Sequence, residues 1–342
     1  MGLMSSQTPR TLRPDAPEPV RAAGVDCGTN TIRLLVLERA PDGARELARR
    51  SRVIRLGEGV DRTRRFAPPA LARLDAALAV IRAELDRLAV PASRVRFAAT
   101  SASRDVTDPA PLVDRVRSVL GVIPEVIAGT EEAALSFRGA TAGLPRAAAP
   151  GRPDRTLVID MGGGSTELVV GDATAGAVLA AHSMDVGSVR LAERHVAGTP
   201  LDATVRAAIA RDVDRALDRA EQIVPLGGLD RVIGVSDSVG AIAAVAAGVS
   251  CARRAELSRR AWPVDALRRA AARIIRSDAT ELAALGVDPG RRDVVGAAAV
   301  IWDRVCARLV AAGLAVPIAY SEQDILDGVA RSALERPDAG RS

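Results

Sequence analysis

The sequence predicts an α/β protein of two related lobes that face one cleft. A duplicated hairpin and a repeated order of elements point to that class. Val25-Asp26-Cys27-Gly28-Thr29-Asn30-Thr31-Ile32-Arg33-Leu34-Leu35-Val36 and Ile159-Asp160-Met161-Gly162-Gly163-Gly164-Ser165-Thr166-Glu167-Leu168-Val169-Val170 carry one pattern, 134 residues apart. In each, an apolar strand ends in Asp, a Gly/Ser/Thr/Asn turn follows, and a second apolar strand leaves. Asp26 aligns with Asp160, Gly28 with Gly162, Thr31 with Ser165, and Arg33 with Glu167. Glycine-rich turns present backbone N–H groups in concavities that bind anions. Glycines at 162–164 can take φ > 0 and put no Cβ in the path of a phosphate. Thr29, Thr31, Ser165 and Thr166 add hydroxyl donors, and Asp26 and Asp160 are hard oxygen ligands suited to Mg²⁺. A tight hairpin whose Asp only caps the turn is the alternative for either copy alone. The two copies together argue against it and suit a metal-bound phosphate chain.

The elements follow in order. Residues 22–39 form the first hairpin, 51–56 a third strand, and 56–62 a loop. Pro69 opens a helix whose Leu71, Leu74, Leu78, Ile81, Leu85 and Leu88 make one apolar stripe. That stripe is core, not a cofactor surface. Residues 95–99 are a buried strand leading into Thr100-Ser101-Ala102-Ser103-Arg104-Asp105, 112–120 a helix, 124–127 a short strand, and Gly129-Thr130-Glu131-Glu132 the start of another helix. The stretch 143–154 is rich in Ala, Pro and Gly without periodicity and reads as a linker. The second half repeats the order with inserted helices. The second hairpin spans 156–170, a strand 180–184, a loop 185–190, a helix 201–224 and a strand 231–235. A small-residue helix follows that strand, helices dominate 263–312, and 318–320 is a short strand. Ser321-Glu322-Gln323-Asp324 resembles a capping box for the last helix.

Composition narrows the function. The 342 residues suffice for two cores, and with 48% hydrophobic but 2% aromatic residues those cores must be Ala, Val, Leu and Ile. No apolar run reaches about 18 residues, so no transmembrane helix and no membrane partner are expected. Residues 1–20 read as a disordered tail rather than a signal peptide; Met1-Gly2 with Ser6 formally fits a myristoylation pattern. Cys27, Cys251 and Cys306 are widely spaced and odd in number, which points to a reducing cytoplasm and away from a disulfide framework or a Cys₄ zinc site. All 47 basic residues are arginine, so a P-loop lysine, a Schiff-base lysine and a pyridoxal-phosphate enzyme are ruled out. A net charge of +5 favours polyanionic partners. The scarcity of aromatics removes base-stacking platforms, so nucleic acid is not expected. With only His182 and His195, a Ser-His-Asp triad or a histidine metal site has little to draw on.

Beyond the hairpins, Ala99-Thr100-Ser101-Ala102-Ser103-Arg104, Gly129-Thr130-Glu131-Glu132-Ala133, Gly187-Ser188-Val189-Arg190 and Ser321-Glu322-Gln323-Asp324-Ile325-Leu326-Asp327-Gly328 occur in order. With these, the chain resembles the exopolyphosphatase/guanosine-pentaphosphate phosphohydrolase (Ppx/GppA) family over about residues 22–332, in its short two-domain form. The resemblance implies two actin-like (ribonuclease H-like) domains flanking a cleft: domain I over 21–142, with the helix 321–335 packing back on it, and domain II over 143–320. It implies a homodimer acting on inorganic polyphosphate or (p)ppGpp. It places the terminal phosphoryl group between the tips, cradled by Gly28, Thr29, Asn30 and Thr31 and by Gly163, Gly164 and Ser165. Asp26 and Asp160 would hold Mg²⁺ or Mn²⁺ with Glu167 nearby. Glu132 matches the family's catalytic glutamate and would deprotonate the attacking water. Arg104 and Arg33 would neutralise charge on the equatorial oxygens. Arg190 and Arg291 would grip phosphates further along, or else form ordinary ion pairs. Glu131 is expected as a first-turn carboxylate favoured by the helix dipole.

One departure stands out. After the strand 231–235 the family has a Gly-Thr turn, whereas this chain has Ser236-Asp237-Ser238. A carboxylate there is expected to weaken anion binding by ~1 kcal/mol or more, to add a metal ligand, or to sit on a loop that does not reach the substrate. The expected activity is exopolyphosphatase. The alternatives are guanosine-pentaphosphate hydrolysis, which shares the site, and a non-catalytic polyphosphate or alarmone sensor, which Asp237 motivates. A sugar or acetate kinase needs an adenosine pocket with a Gly-rich loop near residue 236, and that loop is absent.

Overall fold

The computed structural model describes residues 19–41, 43–196 and 198–336. The tail expected over 1–20 therefore lies, up to residue 18, outside the described residues, as does the Gly2 motif. The first half contains β1 (Arg21–Cys27), β2 (Thr31–Ala40), β3 (Gly43–Val53), α1 (Val60–Thr63), α2 (Pro68–Arg87), β4 (Val95–Ala99), α3 (Ser101–Asp105), α4 (Ala110–Leu120), β5 (Glu125–Val126) and α5 (Gly129–Thr141). The second contains β6 (Arg155–Met161), β7 (Thr166–Asp172), β8 (Ala177–Met184), α6 (Ser188–His195), α7 (Ala203–Ala220), β9 (Arg231–Val235) and α8 (Asp237–Ala247). It continues with β10 (Ala261–Trp262), α9 (Val264–Arg276), α10 (Ala279–Ala284), α11 (Val295–Ala311), β11 (Ile318–Ser321) and α12 (Ile325–Glu335).

The sheets repeat one topology. One runs β3-β2-β1-β4-β5 and the other β8-β7-β6-β9-β11, with β10 added at its edge. In each, three antiparallel strands are followed by two parallel ones. Even the register shifts correspond, at Val36/Leu37 and at Val170/Gly171. β1 buries Ala23, Val25 and Cys27 against Leu74, Leu78, Ile81 and Leu85 of α2. β6 buries Leu157, Ile159 and Met161 in the larger core with α7, α8, α9 and α11. Alternation along each strand then turns Asp26 and Asp160 to the opposite face.

On those opposite faces lie the two helices that build the cleft. α12 lays Leu326, Ala330 and Ala333 over Ala22 and Leu35 of the first sheet. α5 lays Ala133, Phe137 and Ala140 over Val158, Val169 and Ile233 of the second. The two helices cross where a Cβ on Gly139 would overlap the backbone of Asp324 and one on Gly328 the backbone of Leu135. α5 thus follows the first sheet in sequence yet packs on the second.

Three local expectations are corrected. β3 extends over Gly43–Val53 rather than 51–56, because its outer half is an arginine-rich, mostly exposed edge whose charge hides the strand pattern. Ser188-Val189-Arg190 is the first turn of α6, not loop. The last helix is capped by Asp324 with Asp327, not by Ser321, which is still paired to Val235 in the sheet.

Candidate active site between the hairpin tips

The two tips are built alike. Gly28 N donates to Thr31 O at 2.9 Å, and Gly162 N donates to Ser165 O at 2.9 Å. The carbonyls of each tip are tied down by the segment after its third strand. Ile54 N and Arg55 N donate to Asn30 O and Gly57 N to Thr29 O, while Ser188 N donates to Gly162 O and Val189 N to Gly163 O. Fixing the carbonyls away from the cleft leaves the amide edges turned toward it. Asn30 Nδ2 is buried in the cavity wall without a protein partner, a donor placed for a ligand oxygen.

One cavity of ≈ 70 Å³ joins both tips. It is lined by Gly28, Thr29, Asn30, Thr31 and Gly162 to Ser165, and by the charged groups Asp26, Arg33, Glu132, Asp160, Asp237 and Arg291. Ser236, Asp237 and Ser238 all reach it, so the third loop is part of the site. The glycines are required for a reason different from the one expected. None at 162–164 has positive φ. Instead, a Cβ on Gly164 would overlap Ser101 Oγ and Thr29 Oγ1, and one on Gly163 would crowd Thr29 Cβ at 3.1 Å. Their bareness lets the second tip close against the first. Thr166 is buried, its hydroxyl donating to Val186 O at 2.7 Å, and does not line the cavity.

The electrostatics differ between the tips. Asp26 faces Arg33 across β1 and β2, and Arg33 Nη2 and Nε donate to Asp26 Oδ2 at 2.7 and 3.0 Å. Arg33 also pairs with Asp324, the buried N-cap of α12. Asp160 faces Glu167 across β6 and β7, two acids with no arginine between them. Burial first, then Asp324 and Glu132, pushes the Asp160 pKa up to about 7, although Ser136 Oγ donates to it at 2.6 Å. Glu167 takes a hydrogen bond from Ser183 Oγ at 2.7 Å, and burial with Glu132 and Asp160 nearby drives its pKa far upward. Glu167 does not line the cavity, so the structure does not bring it alongside Asp160 as a cavity-facing ligand. Among the described residues no three His, Cys, Asp or Glu side chains form a ready metal cage. The donor set open to a cation is Asp26 and Asp160, which fits a Mg²⁺ that keeps several waters.

Glu132, in the first turn of α5, is buried at the same cavity. Burial raises its pKa; Arg104, donating to its Oε2 at 2.6 Å, opposes this without cancelling it. Arg104 also donates to Ile127 O at 3.1 Å and so braces Glu132 from behind rather than lining the cavity. Glu131 points away and pairs with Arg96 at 2.5 Å.

Arg190 is not in the cavity. Its Nε donates to Gly164 O at 2.7 Å, Nη1 to Asp61 at 2.5 Å, and Nη2 to Ser101 Oγ at 3.3 Å and to Asp105. It ties the second tip to α1 and α3 of the first half, a brace that engages all three of its nitrogens away from the cavity. Arg291 does line the cavity, paired with Asp237. Sequence reasoning missed Asp324 as a site group, reading it as part of a cap. It is a cap, but one whose carboxylate also holds Arg33. His195 bonds Asp212 at 2.8 Å, and neither residue lines the cavity. All three cysteines are buried and free, and no helix among the described residues is long and apolar enough to cross a membrane.

Comparison with known proteins agrees with this architecture. Residues 35–322 match the Ppx/GppA phosphatase family. Exopolyphosphatase 2 of Mycobacterium tuberculosis is 38% identical over 322 residues, covering 91% of this chain and 98% of that protein. A crystal structure of an exopolyphosphatase-like protein superposes with a TM-score of 0.84 at 38% identity, covering 92% of this chain and 98% of the other. A guanosine-5′-triphosphate,3′-diphosphate pyrophosphatase of Vibrio cholerae is 30% identical over 182 residues, 53% of this chain and 35% of that protein. The paired sheets with one repeated strand order are two actin-like domains, and the chain belongs to the Ppx/GppA phosphatase family.

Proposed function

We propose that the chain is an exopolyphosphatase that hydrolyses the terminal phosphoanhydride bond of inorganic polyphosphate. The observation that carries this reading is Glu132: a buried carboxylate with raised pKa in the same cavity as both anion-binding tips. The terminal phosphoryl group sits between the amides of Gly28 to Asn30 and those of Gly163 to Ser165, with Asn30 Nδ2 and Arg33 directed at its oxygens. Glu132 orients a water and takes its proton as the water oxygen bonds to the terminal phosphorus. The bond from that phosphorus to the bridging oxygen breaks, giving orthophosphate and a chain one unit shorter. Arg104 keeps the Glu132 carboxylate aimed at the cavity. Asp26 and Asp160 would hold a Mg²⁺ or Mn²⁺, which when bound would supply charge neutralisation on the phosphate oxygens. Incubation with polyphosphate and Mg²⁺ should release orthophosphate; no release from any chain length would remove the proposal.

Hydrolysis of guanosine pentaphosphate is a second reading, supported by one feature. A neighbouring cavity of ≈ 460 Å³ shares Asn30 with the first and is walled by Val189, Ala192, Val196 and Val294, with Arg55 and Arg292 at its rim. It has room and apolar surface for a nucleoside attached to a phosphate chain. Comparing kcat/KM for short polyphosphate, long polyphosphate and pentaphosphate separates the two, and binding of either without turnover would instead identify a sensor.

A further inference from the structure

Asp237 is the one carboxylate in the cavity wall whose oxygens are both taken by guanidinium groups. Arg254 Nη2 donates to its Oδ1 at 2.6 Å, and Arg291 Nη2 donates to its Oδ2. Burial alone would raise the pKa of this carboxyl, but Arg291, Arg254 and Arg33 outweigh burial and hold it far below the usual range, so it is ionised at any working pH. Arg254 is held in turn by Glu322 at 3.8 Å, and Glu322 accepts a hydrogen bond from the Tyr320 hydroxyl. The loop is set in place by Ser236, whose φ of 104° lies where non-glycine residues are strained. Around the whole cavity the carboxylates Asp26, Glu132, Asp160 and Asp237 outnumber the guanidinium groups Arg33 and Arg291. A polyanion entering it therefore meets a wall in which one of the two arginines, Arg291, is already neutralised by a fixed internal anion.

We propose that Asp237 is a specificity-determining residue: its carboxylate, held from behind by Arg254, occupies the cavity-lining Arg291, which would otherwise engage the phosphate next to the terminal one, and so keeps affinity for phosphate chains low. This rests on the exopolyphosphatase reading and extends it to how the site grades its substrates. The chain releases orthophosphate readily but grips the polymer loosely.

The test is Asp237→Asn, which keeps shape and removes charge, beside Asp237→Glu, which keeps charge. At fixed Mg²⁺, Asp237→Asn should lower KM for polyphosphate about tenfold with kcat within about twofold of the parent, whereas Asp237→Glu should leave KM near the parent value. Arg291→Gln should change KM little in the parent but restore the high KM in the Asp237→Asn background, a non-additive cycle. Calorimetric titration with tripolyphosphate reads the same affinities without turnover. If neither protein releases phosphate but Asp237→Asn binds tripolyphosphate more tightly, the hydrolase reading fails and this inference stands. Unchanged or weaker tripolyphosphate binding by a folded Asp237→Asn protein overturns it, and so does additivity with Arg291→Gln. If Asp237→Asn does not fold, Asp237→Ser takes its place in the tripolyphosphate titration: binding about tenfold tighter than the parent supports the inference, and unchanged or weaker binding overturns it.

Discussion

The hairpins β1–β2 and β6–β7 share a turn hydrogen bond of 2.9 Å, the same facing pair of residues, and the same register shift ten residues beyond the aspartate. They part at one slot. Asp26 faces Arg33, whose buried ion pair opposes the upward push of burial on its pKa without cancelling it; Asp160 faces Glu167, and that pair is met by the hydroxyls of Ser136, Ser183 and Ser165, by the more distant charge of Arg33 and by retained protons. The central helices reinforce the contrast, since α12 presents Asp324 to Arg33 whereas α5 presents Glu132 to the acidic pair. One backbone scaffold, used twice, has thus been given a tip with its own cation and a tip that lacks one. On the proposed mechanism, the second tip would gain most from a bound cation, and the first would bring positive charge to the substrate.

Replacing the two aspartates should separate the tips most widely. Asp26→Asn leaves Arg33 with Asp324 alone and should destabilise the protein by about 3 kcal/mol in urea unfolding, the scale for breaking a buried ion pair. Arg190→Met, which leaves Asp61 with Arg194 alone and Asp105 with only Arg64 at 3.9 Å and unties Gly164, should cost about 2 kcal/mol and lower kcat while tripolyphosphate affinity changes less. Partial recovery of kcat by Arg190→Lys would mark it as a positioning residue.

Asp160→Asn should act in the opposite direction, raising stability by about 1 kcal/mol at pH 8 in chelator while impairing Mg²⁺-dependent turnover. The sign follows from proton binding. The folded Asp160 pKa is about 7 against an ordinary 3.8, so the folded chain holds a proton that the unfolded chain has released between those values. Its stabilising contribution is complete below 3.8 and is lost as pH rises through about 7. Metal-free parent protein should therefore lose melting temperature from pH 6 to pH 8, and the Asp160→Asn slope should be shallower. Equal slopes would refute the crowded-carboxylate account of the second tip. The smallest effect belongs to Arg55→Ala, which removes a part-exposed pair with Asp293 at 2.8 Å between the halves and should cost under about 1 kcal/mol.

The repeated hairpins were legible because Asp and glycine punctuate apolar runs, and local chain stiffness alone turns such a run into strand–turn–strand. Glu132 was legible as the candidate base only through the family resemblance; nothing in its sequence neighbourhood distinguishes it from Glu131, which pairs outward with Arg96. The facing charges of Arg33 and Glu167 were visible, but not that β7 buries Glu167 behind the cavity. For Arg190 the sequence left phosphate contact and an ion pair both open, because its partners Asp61 and Asp105 lie 129 and 85 residues away, a proximity that only the tertiary fold creates. Asp237 was recognised as a charge in the third loop, whereas its two arginines, 17 and 54 residues on, were not. Asp324 was hidden by doing two tasks, since the carboxylate that caps α12 also holds Arg33.

The claim that the cleft between the tips is catalytic, with Glu132 as its base, is tested most directly by Glu132→Gln. The account predicts that phosphate release from polyphosphate falls at least about 10²-fold, while tripolyphosphate binding by calorimetry and the unfolding midpoint stay near the parent values. Retained turnover in Glu132→Gln, with binding and stability intact, would contradict it.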